Sequence, residues 1–118
     1  RDIQRDRLAV VRRIQDRYGG VCILKGAGTL VSIPNGNVAV CNRGNPGMAS
    51  AGMGDLLAGV VGSFLAQGLN LGDAAQCGTW LHSAAADLAA ANGERGMIAR
   101  DLLPFLRRLV DNPVVADE

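Results

Sequence analysis

The chain has 118 residues, 12 Lys and Arg against 11 Asp and Glu for a net charge of +1, and 48% hydrophobic residues. That is enough apolar material for one globular core, while the sparse and balanced charge, 19% of residues, excludes the clustered single-sign surface that nucleic acid or a membrane attracts. No run approaches the roughly 20 apolar residues of a membrane span. The charged N-terminus, Arg1-Asp2-Ile3-Gln4-Arg5-Asp6-Arg7, lacks the apolar stretch of a secretory signal. Cys22, Cys41 and Cys77 have neither CxxC nor His spacing, so disulfides and zinc are not indicated; the three are expected to be small buried hydrophobes of a cytoplasmic protein. Sixteen glycines against one Trp, one Tyr and two Phe imply that many glycines hold particular positions, because glycine in an element interior costs backbone entropy.

In chain order, Ile3, Val10, Val11, Ile14 and Tyr18 predict an amphipathic helix over 2–18, with Arg12, Arg13, Asp16 and Arg17 on its outer side and Gly19 and Gly20 as its stop. The continuous apolar run 21–24 predicts a strand buried on both faces, as in a parallel sheet under helices. Runs 29–33 and 38–41 predict two more strands, and the Asn35-Gly36 pair between them predicts a hairpin. Residues 42–54 contain four glycines and a proline and predict a loop. From Asp55 the sequence is apolar most of the way round a helix, which is expected to be largely buried and to end at Gly68. Asp73 is the expected N-cap of a small-residue helix over 74–91 that packs closely and places Trp80 in the core. A last amphipathic helix over 100–110 precedes Pro113 and an acidic tail.

Chemistry concentrates in Gly44-Asn45-Pro46-Gly47-Met48-Ala49-Ser50-Ala51-Gly52-Met53-Gly54-Asp55. A glycine-rich loop running into a helix start offers free N–H groups and the positive end of the helix dipole, and so holds an anion without Lys or Arg. Gly52 and Gly54 remove the Cβ atoms that would keep a phosphate at a distance. Asp55 would repel a dianion and is better suited to accept a proton from a hydroxyl near a transferring phosphoryl group; the alternative is that it caps its helix. No Walker motif or GxGxxG is present. His82 is the only histidine, which argues against a metal site; a packing or hydrogen-bonding role is expected, with a place near a nucleotide base as the alternative. Arg95 and Arg100 are either solvated or within reach of a phosphate.

The segment Asn45 through Asp55, together with Leu24-Lys25-Gly26-Ala27-Gly28-Thr29, closely resembles the C-terminal signature of ADP-dependent NAD(P)H-hydrate dehydratases of the ribokinase-like superfamily. The resemblance runs from Arg5-Asp6-Arg7-Leu8-Ala9 to Gly96-Met97-Ile98-Ala99-Arg100-Asp101-Leu102-Leu103-Pro104 and departs mildly at Ala51, where the family commonly has Gly. It implies a three-layer α/β/α sandwich with a mostly parallel sheet. The family's catalytic domain is more than twice this length, so residues 1–118 would be its C-terminal portion, inactive alone. It implies a lyase that uses ADP, or ATP in some relatives, with Mg²⁺ to remove water from hydrated NADH or NADPH. Lys25, Gly26, Ala27, Gly28, Thr29, Gly52 and Gly54 would then meet the adenine nucleotide, and Asp55 the hydrated nicotinamide substrate. Without the resemblance Lys25 reads better as a solvated strand-end lysine, and the resemblance reverses that order. Self-association into a homo-oligomer is expected, because apolar sheet surface left uncovered tends to become an interface. The alternatives are a small-molecule kinase of the same superfamily and a truncated, non-catalytic nucleotide-binding module.

Overall fold

A computed structural model of the chain describes residues 6–26, 28–34 and 37–111. Helix α1, Arg7–Tyr18, buries Arg7, Val11 and Gln15, a stripe at i, i+4 and i+8, and leaves Ile14 and Tyr18 exposed. The buried stripe is therefore partly polar, which apolar periodicity does not register. Gln15 donates to Gly20 O at 2.8 Å and to Ser32 O at 3.3 Å, and its own oxygen accepts the Ser32 hydroxyl. Gly19 and Gly20, at φ 76° and 70°, end the helix as expected; its predicted first turn, with Ile3, lies outside the described residues.

Three strands follow, β1 Cys22–Leu24, β2 Thr29–Ser32 and β3 Val38–Cys41, forming a sheet in the order β1-β2-β3. Both pairings are antiparallel, with Ile23 opposite Val31 and Val31 opposite Ala39. The hairpin is as expected, closed by Ile33 N donating to Asn37 O at 3.1 Å, although Asn35 and Gly36 themselves lie outside the described residues. The expected parallel pairing is corrected: among the described residues the sheet is a meander, because the short links between its strands cannot make the dozen-residue crossover that parallel strands need. The doubly buried strand is likewise β2, whose four residues are all buried, and β1 is an edge strand of intermediate burial. Helix α1 covers the Ser32 face of β2 through Gln15, and alternation turns Val31 and Thr29 the other way, where the long helix α3 meets β2 and β3.

Helix α2, Met53–Ala66, and α3, Leu71–Ala90, pack along each other. A Cβ on Gly78 would stand 2.7 Å from Val61 Cγ2, so the missing side chain is what lets these helices approach. The expectation that α2 is largely buried is corrected: only Met53 and Leu57 are buried, and Leu65 is 39% exposed, because α3 lies along one side only. Nor is Asp73 the cap of α3. Asn70 is, its side-chain oxygen accepting from Asp73 N at 2.8 Å while its amide donates to Asp73 Oδ2 at 3.0 Å; Asp73 is the reciprocal partner three residues in.

A 3₁₀ turn, Ala99–Leu102, leads into α4, Leu103–Asp111. The core joins Met53, the alanines of α3, Met97, Leu102, Leu106 and Leu109, with Trp80 packed on its edge. The cysteines are not buried as expected: Cys22 and Cys41, on the two edge strands, are of intermediate burial and Cys77 is exposed. Desolvation still raises the Cys22 thiol above its ordinary pKa. Among the described residues no helix is long and apolar enough to cross a membrane.

Candidate functional site

Two loops face each other across a cavity of about 790 Å³. The first leaves β1 at Leu24. Gly26, at φ 141°, and Gly28, at φ 68°, take conformations that a side chain would strain, and the Thr29 hydroxyl donates to Gly26 O at 3.1 Å across the turn. Behind it the Arg7 guanidinium donates to Leu24 O at 3.2 Å and Lys25 O at 3.5 Å. The second loop leaves β3 at Cys41. Asp87, on α3, holds it with both oxygens: Oδ2 accepts from Gly44 N and Oδ1 from Asn45 Nδ2, each at 3.0 Å. Asn45 Oδ1 then accepts from Gly47 N at 3.0 Å, capping the 3₁₀ turn Pro46–Met48.

Gly52, at φ 86° in the left-handed region, is the N-cap of α2. Leu56 N donates to Gly52 O at 2.9 Å and Met53 N reaches Ser50 O at 3.4 Å. The N–H groups of Gly54 and Asp55 are thus among the donors that a helix start leaves without a partner inside the helix. A Cβ on Gly54 would lie 2.7 Å from Lys25 Nζ, so the ammonium from the first loop sits directly over the first turn of α2. This contact unites the two sequence motifs in one corner, where an ammonium, free amides and a helix dipole can together hold a phosphate. Asp55 is exposed in that same turn, and the N-cap position itself is held by Gly52.

Lys25, Gly26, Gly28 and Thr29 line the cavity; Gly52, Gly54 and Asp55 do not, and adjoin it through Met53 and Lys25, which do. Ala27 lies outside the described residues. Sequence reasoning had Ser50 in the loop and a place near a nucleotide base as the alternative for His82, but missed Thr79 and Ser83 on the far wall. Ser50 Oγ, Thr79 Oγ1 and His82 Nε2 are buried polar atoms without a hydrogen-bond partner, and all three residues line this cavity. Thr79 and His82 are each only 2% exposed. The signal was present: Thr79, His82 and Ser83 are polar residues at i, i+3 and i+4 in an alanine-rich helix, and so share one face. Burial holds the His82 pKa below its ordinary value and the nearby Lys25 charge adds to this, against a hydrogen bond with the Met53 backbone that works the other way. Arg43, also on the wall, stacks 5.7 Å over Trp80. Arg95 and Arg100 lie apart, around a separate surface groove beside α4.

A sequence profile described as NAD(P)H-hydrate dehydratase matches residues 1–108. The chain belongs to the NAD(P)H-hydrate dehydratase family. It is 55% identical over 111 residues to the bifunctional NAD(P)H-hydrate repair enzyme Nnr of Vibrio cholerae, a match covering 93% of this chain and 22% of that protein. With the ADP-dependent (S)-NAD(P)H-hydrate dehydratase of Neisseria meningitidis it shares 44% identity over 91% of this chain and 37% of the other. Among solved structures, the ADP/ATP-dependent NAD(P)H-hydrate dehydratase of Bacillus subtilis, co-crystallized with ATP/Mg²⁺, superposes with a TM-score of 0.83 at 25% identity, over 92% of this chain and 40% of that one. The chain thus spans about a fifth of the bifunctional relative and two fifths of the solved dehydratase. The family match and the superposition bear out the α/β, ribokinase-like fold, of which these residues form part.

Proposed function

We propose that residues 1–118 are the C-terminal portion of a dehydratase domain that uses ADP or ATP to restore NADH and NADPH from their hydrates. The observation that carries this reading is the placement of Lys25 Nζ over Gly54, which makes the two family motifs one anion-binding corner at the edge of a cavity. In this reading the nucleotide phosphates lie at the first turn of α2, and Lys25, Gly26, Ala27, Gly28, Thr29, Gly52 and Gly54 surround the nucleotide. The lone atoms Ser50 Oγ, Thr79 Oγ1 and His82 Nε2 would satisfy the donors and acceptors of its base or sugar, since leaving them unpaired costs about 1–3 kcal/mol apiece. The low pKa of His82 keeps its ring neutral at pH 7, so one nitrogen can accept a hydrogen bond.

Among the described residues no three of His, Cys, Asp and Glu cluster as a metal cage. Asp55, the exposed carboxylate in the first turn of α2, fits Mg²⁺ carried in on the phosphates, because this ion is commonly held by phosphate oxygens, waters and one or two carboxylates. The ion's contribution would be to offset phosphate charge. Asp55, exposed beside the corner, would accept the proton of the hydrate's hydroxyl as its oxygen bonds to the terminal phosphorus and the bond from that phosphorus to the bridging oxygen breaks, releasing AMP from ADP or ADP from ATP, while Lys25 and the α2 amides stabilise the charge on the phosphoryl oxygens. Departure of inorganic phosphate from the ring carbon, with loss of a proton from the adjacent carbon, then restores the double bond of the reduced cofactor. The setting we assign is the cytoplasm, which suits three free thiols, and the assembly a homo-oligomer.

The test incubates the intact protein with ADP, Mg²⁺ and hydrated NADH and follows the return of reduced-nicotinamide absorbance. Nucleotide-dependent recovery supports the proposal. Untouched hydrate together with phosphorylation of a sugar or vitamin alcohol from ATP would make the protein a kinase of the same superfamily.

A further inference from the structure

Arg7 is a charged residue buried where an apolar one would serve. One turn along α1, Val11 fills the same helix–sheet interface and is fully buried. A buried guanidinium is costly unless its donors are used, and Arg7 does not line the cavity. Its Nη2 donates to Leu24 O and Lys25 O, on the side of the first loop facing α1. The next carbonyl, Gly26 O, is occupied by the Thr29 hydroxyl. Three successive carbonyl oxygens, each a partial negative charge, are thereby engaged within or behind the loop and do not compete for space with an anion. Gly26 completes the arrangement. A Cβ on Gly26 would stand 3.3 Å from Arg7 Nη2, closer than ordinary contact, so the absent side chain lets the guanidinium lie directly beneath the Gly26 backbone.

We infer that Arg7 is a positioning residue for the nucleotide: it fixes the carbonyls at the end of β1 so that Lys25 leaves the strand toward Gly54. This rests on the adenine-nucleotide reading above. It extends that reading to a residue that does not line the cavity, and it gives Gly26 a close neighbour in α1.

Gln15 supplies the control, because it makes a comparable set of hydrogen bonds in the same interface at the opposite end of α1. In the intact enzyme, Arg7→Met is expected to raise KM for ADP by about tenfold or more while kcat at saturating ADP stays within about threefold, the pattern of lost ground-state positioning. Arg7→Lys should recover part of that loss, since one ammonium reaches one of the two carbonyls. Gln15→Met should lower Tm at least as far and leave KM for ADP unchanged. If KM moves no more in Arg7→Met than in Gln15→Met, Arg7 is only a structural residue and the inference falls. Should Arg7→Met not fold, Arg7→Lys decides alone: a raised KM supports the inference, and wild-type KM overturns it. Calorimetry on the wild-type enzyme separates the two layers. No ADP binding there overturns the nucleotide reading and this inference together, whereas wild-type binding with unaffected variants overturns the inference only.

Discussion

Gly54→Ala separates folding from binding. The added Cβ would meet Lys25 Nζ at 2.7 Å and Cε at 4.0 Å, with no backbone among its neighbours. Because Lys25 is exposed, its side chain can swing aside at little cost. Alanine is better than glycine in a helix by up to about 1 kcal/mol, so the variant should melt at or slightly above the wild-type temperature. Binding should suffer, because the methyl group occupies the corner and drives the ammonium from it. A hydrogen bond to a charged group contributes about 1.5–3 kcal/mol; at about 1.4 kcal/mol per decade, Kd for ADP should rise roughly ten- to a hundredfold. The assay is calorimetric titration of the intact protein with ADP, alongside thermal melts, for Gly54→Ala, Lys25→Met and the double variant. If both changes act through the same ammonium, the double variant loses little more than either single one, leaving a large coupling energy. Unchanged affinity in Gly54→Ala, or losses that simply add, would show that Lys25 and the first turn of α2 do not share a phosphate.

Asp55→Ala should lower turnover by about 10²–10⁴ and leave ADP affinity within about threefold; kinetics within tenfold of wild type would remove Asp55 from the chemistry. His82 makes stability depend on pH. Its folded pKa is depressed below the ordinary value of about 6.5, so the unfolded chain takes up the proton first, and stability present above about pH 6.5 declines as pH falls toward the folded pKa. Denaturant melts across that window should show the decline, and His82→Gln should flatten it; equal slopes in both proteins would mean that another group titrates. Gly78→Val should lower stability by about 1–3 kcal/mol through overpacking against Val61, and an unchanged urea midpoint would show that α2 can shift without cost.

The sequence exposed the elements that announce themselves locally. The two hairpin strands, the glycine stops and the loop before α2 follow from short-range signals, and the family motifs brought Lys25 and Gly54 into one hypothesis before any coordinates. What stayed hidden depends on pairing over long distances. Nothing in the run Val21-Cys22-Ile23-Leu24 tells a central parallel strand from an edge strand of a meander, since that depends on which strand lies alongside. The apolar circumference of α2 suggested burial, but burial needs neighbours on every side, and α3 supplies one. Arg7, Gln15 and Asp87 went unread because their partners are backbone groups 17, 5 and 43 positions away, and a charged or amide side chain on a helix usually marks the wet face.

The uneven burial of α2 bears on how the molecule moves. Its first residue, Met53, is set in the core at 2% exposure, Leu57 follows it inward, and beyond them Val60 and Phe64 are only partly buried, while a Cβ added to Gly59 or Gly62 would meet open space. The helix is seated most deeply at its first turn, although Val61 still packs on Gly78 of α3 along one side. Local opening follows contact density, so among the hydrogen-bonded amides of α2 exchange should be fastest in the last turn, next to Gly68, and slowest around Leu57, whereas the Gly54 and Asp55 amides, which have no partner inside the helix, exchange without any opening. Fraying then consumes the distal end of the helix while the turn that faces Lys25 stays seated in the core, and the positive end of the dipole keeps its aim.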